Sequence, residues 1–209
     1  MGTVYQIPVK GYFAENCYFY LDNTTKQGFV IDPGAQGREL LALICREGWT
    51  IKAVLLTHGH FDHTGAVNEL RSALGCPVYA HERAEEYLLD AQKNLSALCG
   101  PPILVEETLH LTDGDVVEAE PLSLQVIYTP GHTTDSVVYY SEKDGVAFVG
   151  DTIFKGSMGE YRYPGGNLER LLQSIRSRIL SLPENTVLYS GHSAPTTVGA
   201  EEYRYLTKR

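Results

Sequence analysis

The chain has 209 residues, of which 43% are hydrophobic and 21% are charged, and this composition predicts one ordinary folded domain over residues 1–209. Its 17 basic and 26 acidic side chains give a formal charge of −9, which argues against nucleic-acid binding because that function needs a positively charged surface. No apolar run approaches the about 20 residues of a membrane span. Residues 1–8 also lack the pattern of an export signal, so we expect a cytoplasmic protein with no membrane partner.

Hydrophobic periodicity and turn residues predict strands that are first joined by short turns and later alternate with helices. The predicted strands lie near residues 3–8, 16–21, 27–32, 52–57, 77–80, 115–118, 122–129, 137–141, 145–150 and 186–190. The predicted helices lie near residues 36–47, 64–74, 82–92 and 167–180. Residues 91–107 contain Gly100 and Pro101, which break helices, and are predicted to form a loop beside the functional site, as a substrate-contacting lid or a connector. The mixture fits two packed sheets with helices outside.

The segment Thr57–Gly65 carries three histidines and one aspartate between a predicted strand and a predicted helix. Such strand ends are where α/β folds commonly place their chemistry. His58 and His60 are two residues apart and can converge on one metal ion, whereas Asp62 and His63 can face a second ion, as in two-metal hydrolytic sites. Imidazole and carboxylate ligands suit zinc, iron or manganese, and the pattern does not choose among them.

Three further strand ends offer metal ligands. His132 follows a strand in a Pro-Gly turn, Asp151 follows a glycine at the end of an apolar strand, and His192 does the same after a later strand. One such residue alone is more typical of a hydrogen-bonded turn, but four ligand-bearing strand ends together indicate one metal centre. The remaining histidines, His81 and His110, are interpreted as structural.

Together, the motifs Thr-His-x-His-x-Asp-His, Pro-Gly-His-Thr, Gly-Asp-Thr and a late Gly-His resemble those of the metallo-β-lactamase-fold hydrolase superfamily. Within it, the chain is most similar to the small single-domain glyoxalase II-like (hydroxyacylglutathione hydrolase-like) branch. The resemblance extends from Asn16 to Gly199. It implies an α/β (α+β) chain folded as a four-layer αββα sandwich, a single metallo-β-lactamase-like domain over residues 1–209, and a dinuclear metal-dependent hydrolase of small acyl thioesters.

The resemblance also implies a role for each candidate metal ligand. The implied ligands of the first ion are His58, His60 and His132, those of the second ion are Asp62, His63 and His192, and Asp151 bridges both. Asp62 and Asp151 are the implied catalytic carboxylates. The implied cofactors are two divalent ions, in first place Zn²⁺, with iron or manganese as alternatives. The implied nucleophile is a hydroxide between the ions, since metal binding can lower the pKa of water from about 15.7 to about 7.

Departures from the branch pattern concern the pocket and leave every ligand in place. Relatives usually carry Arg or Lys where this chain has Glu160, a position expected to face a substrate carboxylate in glutathione-using members, and often carry aspartate where it has Arg162. The charges at positions 160 and 162 are thus exchanged relative to these relatives. A salt bridge within the loop can be preserved in this way, although the contact to the substrate carboxylate is not. The candidate substrate-binding residues are Lys155, Tyr161, Arg162 and Tyr163. Asp135 also replaces a glycine that is usual in relatives.

Other functions stay open beside the thioesterase. Persulfide dioxygenases share the fold and use one iron, held by residues equivalent to His58, His132 and Asp151. Lactones and other esters are alternative substrates of a hydrolase, and a non-catalytic metal-binding protein is a third class. In each case we expect a small-molecule ligand and no nucleic acid. The four cysteines form no C-x-x-C pair, and we expect them to be free, reduced thiols.

Overall fold

Two six-stranded sheets form the centre of the computed structural model, which describes residues 1–206. The strands of the first sheet, in spatial order, are β1 (Gly2–Lys10), β2 (Ala14–Asp22), β3 (Gln27–Ile31), β4 (Thr50–Leu55), β5 (Val78–His81) and β6 (Leu109–Leu111). Strands β1 to β3 are antiparallel, whereas β3 to β6 are parallel. The parallel pairing brings Asp32, which follows β3, and the histidine-bearing segment after β4 to the same edge of the sheet.

The second sheet is mostly antiparallel. Its strands, again in spatial order, are β7 (Val116–Ala119), β8 (Leu122–Tyr128), β9 (Val137–Ser141), β10 (Val146–Gly150), β13 (Val187–Ser190) and β14 (Thr196–Thr197). Only the pair β10 and β13 is parallel among these neighbours in the described chain. Strands β11 (Ile153–Phe154) and β12 (Ser157–Met158) form a separate two-stranded ribbon.

Helices cover the outer faces of both sheets. Within residues 1–206 the α-helices are α1 (Gly37–Glu47), α2 (Phe61–Thr64), α3 (Val67–Leu74), α4 (Glu85–Leu88), α5 (Leu168–Ser174) and α6 (Val198–Leu206). A 3₁₀ turn lies at Ser96–Leu98, and a π-helical segment, Ile175–Ile179, extends α5. Helix α1 ends at Gly48, whose φ of 66° suits a residue without Cβ. No helix in the described part is both long and apolar enough to cross a membrane.

Alternating side chains of β2 show how the layers form. Phe19 packs under the outer helices, whereas Tyr18 and Tyr20 pack between the two sheets, because successive residues of a strand point to opposite faces. A third apolar cluster joins the second sheet to α5, Ile175–Ile179 and α6. Both sheets are therefore buried on both faces, which confirms the αββα sandwich expected from the sequence.

The helix predicted for residues 64–74 is divided in the structure. The backbone N–H of Ala66 donates to the carbonyl of Pro33 at 2.9 Å rather than to a residue of its own helix. This contact ends α2 and separates it from α3. It also ties the loop after β3 to the segment that carries the histidines.

The helix predicted for residues 82–92 is also too long. Only α4 is helical there, because the Asp90 carboxylate accepts hydrogen bonds from the backbone N–H groups of Gln92 and Lys93 and forms a turn. The sequence did not predict α6 or the short strands β11, β12 and β14. Strands this short carry too little periodicity to be recognised.

Candidate metal centre

The candidate metal ligands follow strand ends of both sheets and meet at one edge of the sandwich. The first sheet supplies the ligands that follow β4, and the second sheet supplies those that follow β8, β10 and β13. The residues that the structure brings together are His58, His60, Asp62, His63, His132, Asp151 and His192. They form groups whose ligand atoms lie within 4.8 Å of one another. Their role as metal ligands stays a prediction.

Three imidazole nitrogens converge in the first group. Nε2 of His58 lies 3.1 Å from Nδ1 of His60 and 3.2 Å from Nε2 of His132, and the latter two nitrogens are 3.0 Å apart. A tetrahedral zinc ion with bonds of about 2.0–2.1 Å separates its ligand nitrogens by roughly 3.3–3.4 Å. The triangle of nitrogens therefore has nearly the size that one such ion requires.

Asp62, His63 and His192 form a second group beside the first. Nε2 of His192 lies 3.2 Å from Oδ2 of Asp62, and Nε2 of His63 lies 3.4 Å from Oδ1 of Asp151. Oδ2 of Asp151 is also 3.5 Å from Nε2 of His192 and 3.7 Å from Nε2 of His132. The carboxylate of Asp151 thus lies between the two groups.

Buried polar atoms at the cluster support a fit to metal ions. Nε2 of His63 and Oδ1 of Asp151 have no hydrogen-bond partner among the described residues. An unsatisfied buried polar group costs about 1–3 kcal/mol, and a divalent cation is a partner that suits an imidazole lone pair and a carboxylate alike. The donor set of imidazoles and carboxylates therefore fits zinc, iron or manganese.

A hydrogen-bonded chain behind the cluster orients one ligand of each group. Asp32 accepts hydrogen bonds from the backbone N–H of Thr57 at 2.8 Å and from the Thr57 hydroxyl at 2.6 Å. The same hydroxyl oxygen lies 3.1 Å from Nδ1 of His58, and Oδ2 of Asp32 lies 3.0 Å from Nδ1 of His63. With Nδ1 engaged, each ring turns Nε2 towards the cluster, an arrangement that strengthens metal ligands. Neither Asp32 nor Thr57 was named as a site residue from the sequence.

Backbone carbonyls orient two more candidate ligands. Nδ1 of His132 donates to the carbonyl of Glu160 at 2.6 Å, and Nδ1 of His192 donates to the carbonyl of Ala14 at 2.8 Å. Both rings therefore also present Nε2 to the cluster. Because Glu160 acts here through its backbone, its side chain can differ without moving His132.

Burial sets the protonation of the first group. It lowers the pKa of His58 and His132 below the usual range and lowers the pKa of His60 to about 3. These rings are neutral at neutral pH, which is the state that binds a metal. Burial alone would raise the pKa of Asp151, but the neighbouring rings of His63 and His192 outweigh it and lower that pKa, so the carboxylate is anionic.

Two glycines allow the strand ends to approach each other. A Cβ added at Gly191 would lie 2.5 Å from both Oδ1 of Asp151 and Cε1 of His63. A Cβ added at Gly150, whose φ is 47°, would lie 2.3 Å from Oγ1 of Thr57. A side chain at either position would displace groups that form or support the cluster.

Two adjoining cavities open at the cluster. The inner cavity has a volume of about 320 Å³ and lies over the candidate ligands, with walls formed by Phe13, Phe61, Leu95, Phe154, Glu160 and Tyr163. The outer cavity has a volume of about 560 Å³ and is lined by residues that include Tyr12, Gln36, Phe61, Ser96, Cys99 and Ile103. Phe61 and Asp62 line both cavities, so the two spaces meet beside a candidate metal ligand.

The structure brings only Tyr163 of the four candidate substrate-binding residues to the inner cavity. Tyr161 packs its ring against the outer core of the second sheet, the side chain of Lys155 is exposed, and Arg162 binds Glu160. The structure does not place Lys155, Tyr161 or Arg162 in the lining of this cavity, and their role in substrate binding stays a prediction. Nε of Arg162 donates to Oε1 of Glu160 at 2.8 Å, which is the loop salt bridge that the exchanged charges predicted.

The apolar wall of the inner cavity was not predicted from the sequence. Phe13 lies next to Tyr12 in the turn between β1 and β2 and is 46% exposed. An exposed aromatic pair in a hairpin turn was an available signal, because turns are usually polar. Leu95 belongs to the loop 91–107, which lies beside the cavity.

The other histidines and the cysteines belong to none of the candidate ligand groups of the described residues, although Cys99 lines the outer cavity. His81 stacks on Tyr128 with ring centroids 4.4 Å apart, and His110 is exposed beside Glu85. All four cysteines are free thiols: Cys17 and Cys76 are buried, Cys45 is exposed and Cys99 is partly exposed.

Comparison with known proteins identifies the family of this chain. A model described as "Metallo-beta-lactamase superfamily" matches residues 11–192, a range that contains every candidate ligand. The chain belongs to the metallo-β-lactamase superfamily. "Probable metallo-hydrolase YqgX" of Bacillus subtilis is 38% identical over 199 residues, which cover 94% of this chain and 93% of the relative. "Hydroxyacylglutathione hydrolase GloC" of Haemophilus influenzae is 29% identical over 199 residues, with coverage of 94% and 93%.

Solved structures of the superfamily agree with the fold. BLEG-1, described as a B3 metallo-beta-lactamase, matches with a TM-score of 0.92 at 38% identity, covering 98% of this chain and 100% of its own. TTHA1623, described in a di-iron-bound form, matches with a TM-score of 0.80 at 35% identity, covering 95% and 96%. ETHE1 from Myxococcus xanthus matches with a TM-score of 0.78 at 25% identity, covering 98% and 83%. These names differ in activity, so membership supports a metallo-hydrolase-type enzyme without fixing its substrate.

Proposed function

We propose that this protein hydrolyses small acyl thioesters with two divalent metal ions. One observation carries the proposal: Oδ2 of Asp151 lies 3.7 Å from Nε2 of His132 in one ligand group and 3.5 Å from Nε2 of His192 in the other. A carboxylate shared by two groups suits a pair of ions about 3.5–4 Å apart, as in two-metal hydrolytic sites. Similarity to GloC supports a thioester as the substrate class.

The proposed ligand sets follow the two groups. The first ion would be held by His58, His60 and His132, the second by Asp62, His63 and His192, and Asp151 would be shared. When bound, the ions supply ionised water at neutral pH and polarise the substrate carbonyl. We propose Zn²⁺ because the donor set is rich in imidazole, and the di-iron form of TTHA1623 keeps iron as the alternative beside manganese.

The chain's own residues prepare the site for this chemistry. Burial opposes ionisation of Asp62, but a hydrogen bond from His192 and the nearby His63 lower its pKa, so Asp62 is anionic beside the anionic Asp151. Asp32 fixes the ring of His63. Phe61 is only 5% exposed and forms part of the wall of the inner cavity. This wall would limit the access of water to the substrate carbonyl.

The proposed reaction consumes one water molecule. A bond forms between the water oxygen and the acyl carbon, and the bond from that carbon to sulfur breaks with its electron pair on sulfur. The products are a carboxylate and a thiol, with one proton released to solvent. A thiolate leaves without prior protonation, because thiols have a pKa of about 8.5, so the pocket needs no additional acid.

Thiol release measured with a thiol-reactive dye tests the proposal. The metal-loaded protein should release thiol from lactoyl thioesters, including S-lactoylglutathione, and should lose this activity on chelation and recover it with Zn²⁺. Asp151→Ala and His58→Ala should fall to the rate of the metal-free protein while keeping their circular dichroism. His110→Ala, which changes an exposed histidine outside the cluster, should keep the normal rate. A near-normal rate in a metal-loaded Asp151→Ala sample would falsify the assignment.

A mononuclear persulfide dioxygenase is the second candidate. Nε2 of His58 and Nε2 of His132 are 3.2 Å apart, and the latter is 3.7 Å from Oδ2 of Asp151. Two histidines and one carboxylate form the set that non-haem iron oxygenases use. Metal analysis separates the candidates: one iron per chain with oxygen uptake on a persulfide favours the dioxygenase, whereas two ions per chain favour the hydrolase.

A further inference from the structure

Neither cavity at the metal centre is lined by a lysine or an arginine of the described chain. Beyond the candidate ligands, the wall of the inner cavity is formed mainly by aromatic and aliphatic side chains. The ring centroids of Phe13 and Phe61 are 5.9 Å apart, so these two rings join the hairpin turn to α2 in one apolar surface. Such a wall suits an uncharged acyl group.

The charged side chain at the rim of the inner cavity is already paired. Glu160 lines the cavity with its side chain 30% exposed, whereas the side chain of its partner Arg162 is 78% exposed to solvent. Oε1 of Glu160 also accepts the backbone N–H groups of Tyr161 and Arg162, both at 2.9 Å. The hydrogen bond from Arg162 lowers the pKa of Glu160 to about 2. The basic partner of Glu160 therefore lies outside the lining of the cavity, so a substrate carboxylate in the cavity would find no lysine or arginine of the described chain to pair with.

Phe61 also lines the outer cavity, and Asp62 is the only charged side chain among the described residues of its lining. The other polar groups of the lining are neutral. Gln36 has its amide oxygen occupied by the backbone N–H of Lys10 at 2.7 Å, which leaves its NH₂ group as a donor. The exposed Tyr12 adds a hydroxyl group, whereas the hydroxyl oxygen of the buried Ser96 already accepts the backbone N–H of Ile103 at 3.0 Å. Neutral donors and acceptors of this kind match a chain of amide groups better than an ionic chain.

We infer that the two cavities form one groove for an acyl thioester, with the acyl group in the inner cavity and an uncharged, amide-bearing thiol carrier in the outer cavity. This inference rests on the proposed thioester hydrolysis and adds the class of carrier. The thioester carbonyl would lie at the junction, where Asp62 lines both cavities. A carrier with carboxylates near its sulfur would find no lysine or arginine side chain among the described residues that line the outer cavity.

Lactoyl thioesters of different thiols test the carrier class on the metal-loaded protein. The carriers are N-acetylcysteamine, which is short and uncharged, pantetheine, which is long and uncharged, and glutathione, which has two carboxylates. We expect kcat/KM for the pantetheine thioester to exceed that for the glutathione thioester by at least about tenfold, because the lining offers neutral partners for amide groups and no lysine or arginine of the described chain for the glutathione carboxylates. An equal or higher value with glutathione overturns the inference and leaves thioester hydrolysis standing. No turnover with any carrier overturns both.

A coenzyme A thioester distinguishes the sources of such a carrier. It contains the same neutral amide arm, with its phosphates far from the sulfur. A kcat/KM above that of the pantetheine thioester would assign a nucleotide-bearing carrier. An equal or lower value would assign a free uncharged thiol.

A substitution in the outer cavity tests where the carrier lies. Cys99→Trp fills part of this cavity, and we expect it to raise KM for the pantetheine thioester by at least about fivefold while changing kcat/KM for the short thioester by less than about twofold. Cys45→Trp, on the exposed face of α1 and away from both cavities, is the matched control. Equal losses with both thioesters in Cys99→Trp would contradict the placement.

Alkylation of Cys99 gives a readout that needs no turnover. In the metal-free protein, S-ethylpantetheine, an uncharged thioether, should slow the reaction of Cys99 with a maleimide by at least about threefold at saturation. The exposed Cys45 should react at an unchanged rate and serves as the internal reference. Protection by S-ethylglutathione alone, or by neither thioether, would overturn the inference.

Discussion

Oδ2 of Asp32 lies 3.0 Å from Nδ1 of His63 and also accepts the Thr57 hydroxyl at 2.6 Å. One buried carboxylate therefore orients a candidate ligand of the second ion directly. Through Thr57, whose hydroxyl oxygen is 3.1 Å from Nδ1 of His58, it also orients a candidate ligand of the first ion. The two ligand groups thus share one support behind the cluster.

Asp32→Asn should weaken metal binding without removing a ligand. The amide keeps the shape of the carboxylate but loses its charge, and such support residues typically change metal affinity by about 10–100-fold. We expect the larger loss for the second ion, because His63 is held directly. Calorimetric titration with Zn²⁺ measures both steps. Asp113→Asn, at an exposed ion pair with Arg178, is the control, and unchanged affinity in Asp32→Asn would contradict the role.

Gly191→Ala should remove the second ion from an otherwise folded protein. The added Cβ would overlap Oδ1 of Asp151 and the ring of His63, both 2.5 Å from its ideal position. Gly48→Ala is the matched control, because it strains a left-handed backbone in open space and should cost about 1 kcal/mol of stability while leaving metal content unchanged. The number of metal ions per chain, measured in both purified variants, tests this prediction. Two ions in Gly191→Ala would contradict it and show that the strand ends can separate.

Asp135→Asn should change how stability depends on pH. Asp135 is fully buried, and burial raises its pKa to about 7 from the usual 3.8. The folded state therefore binds the Asp135 proton more tightly than the unfolded state does. The resulting contribution to the free energy of unfolding is complete below about pH 4 and is lost as the pH rises to about 7. The loss corresponds to about 4 kcal/mol.

Urea unfolding of the wild type and Asp135→Asn between pH 4.5 and 8 measures this effect. The variant should gain stability relative to the wild type as the pH rises, because an amide has no proton to lose. Changes in the metal ligands affect both proteins and cancel in the difference. A difference in unfolding free energy between the two proteins that does not vary with pH would show that Asp135 is ionised in the folded protein over this whole pH range.

Glu160→Arg combined with Arg162→Glu should shift the preference for acyl groups, because Glu160 lines the inner cavity. The double variant keeps a loop ion pair but turns the cation towards the inner cavity, whereas the native pair keeps it in solvent. We expect the ratio of kcat/KM for the succinyl thioester of pantetheine to that for its lactoyl thioester to rise about tenfold, because the succinyl group brings a carboxylate into the inner cavity. Arg162→Gln alone, which frees the acid, should lower the ratio. An unchanged ratio in the double variant would exclude the rim as a determinant of specificity.

The ligands could be predicted from the sequence because each stands directly after a strand with a clear apolar pattern. His132 and Asp151 follow β8 and β10, which run in the same direction because both are antiparallel to β9, so their ends lie at the same edge of the sheet. The layers were predictable for the same reason: alternation in β2 sends Phe19 to one face and Tyr18 to the other.

The supports of the site were not predictable, because they depend on contacts between distant segments. Asp32 is 31 residues from His63, and the Glu160 carbonyl is 28 residues from His132. Arg162 illustrates the same limit: the sequence showed the exchanged charges, but only the fold shows that its guanidinium points away from the cavity. The extent of α4 depended on a side-chain turn at Asp90, which periodicity does not detect.

The ligands are divided between the sheets in a way that affects folding. His58, His60, Asp62 and His63 come from the first sheet, whereas His132, Asp151 and His192 come from the second. Neither ligand group is complete within one sheet, because the first needs His132 and the second needs His192. Each ion would therefore hold the two sheets together. The free energy of metal binding would then also stabilise the packing of one sheet on the other.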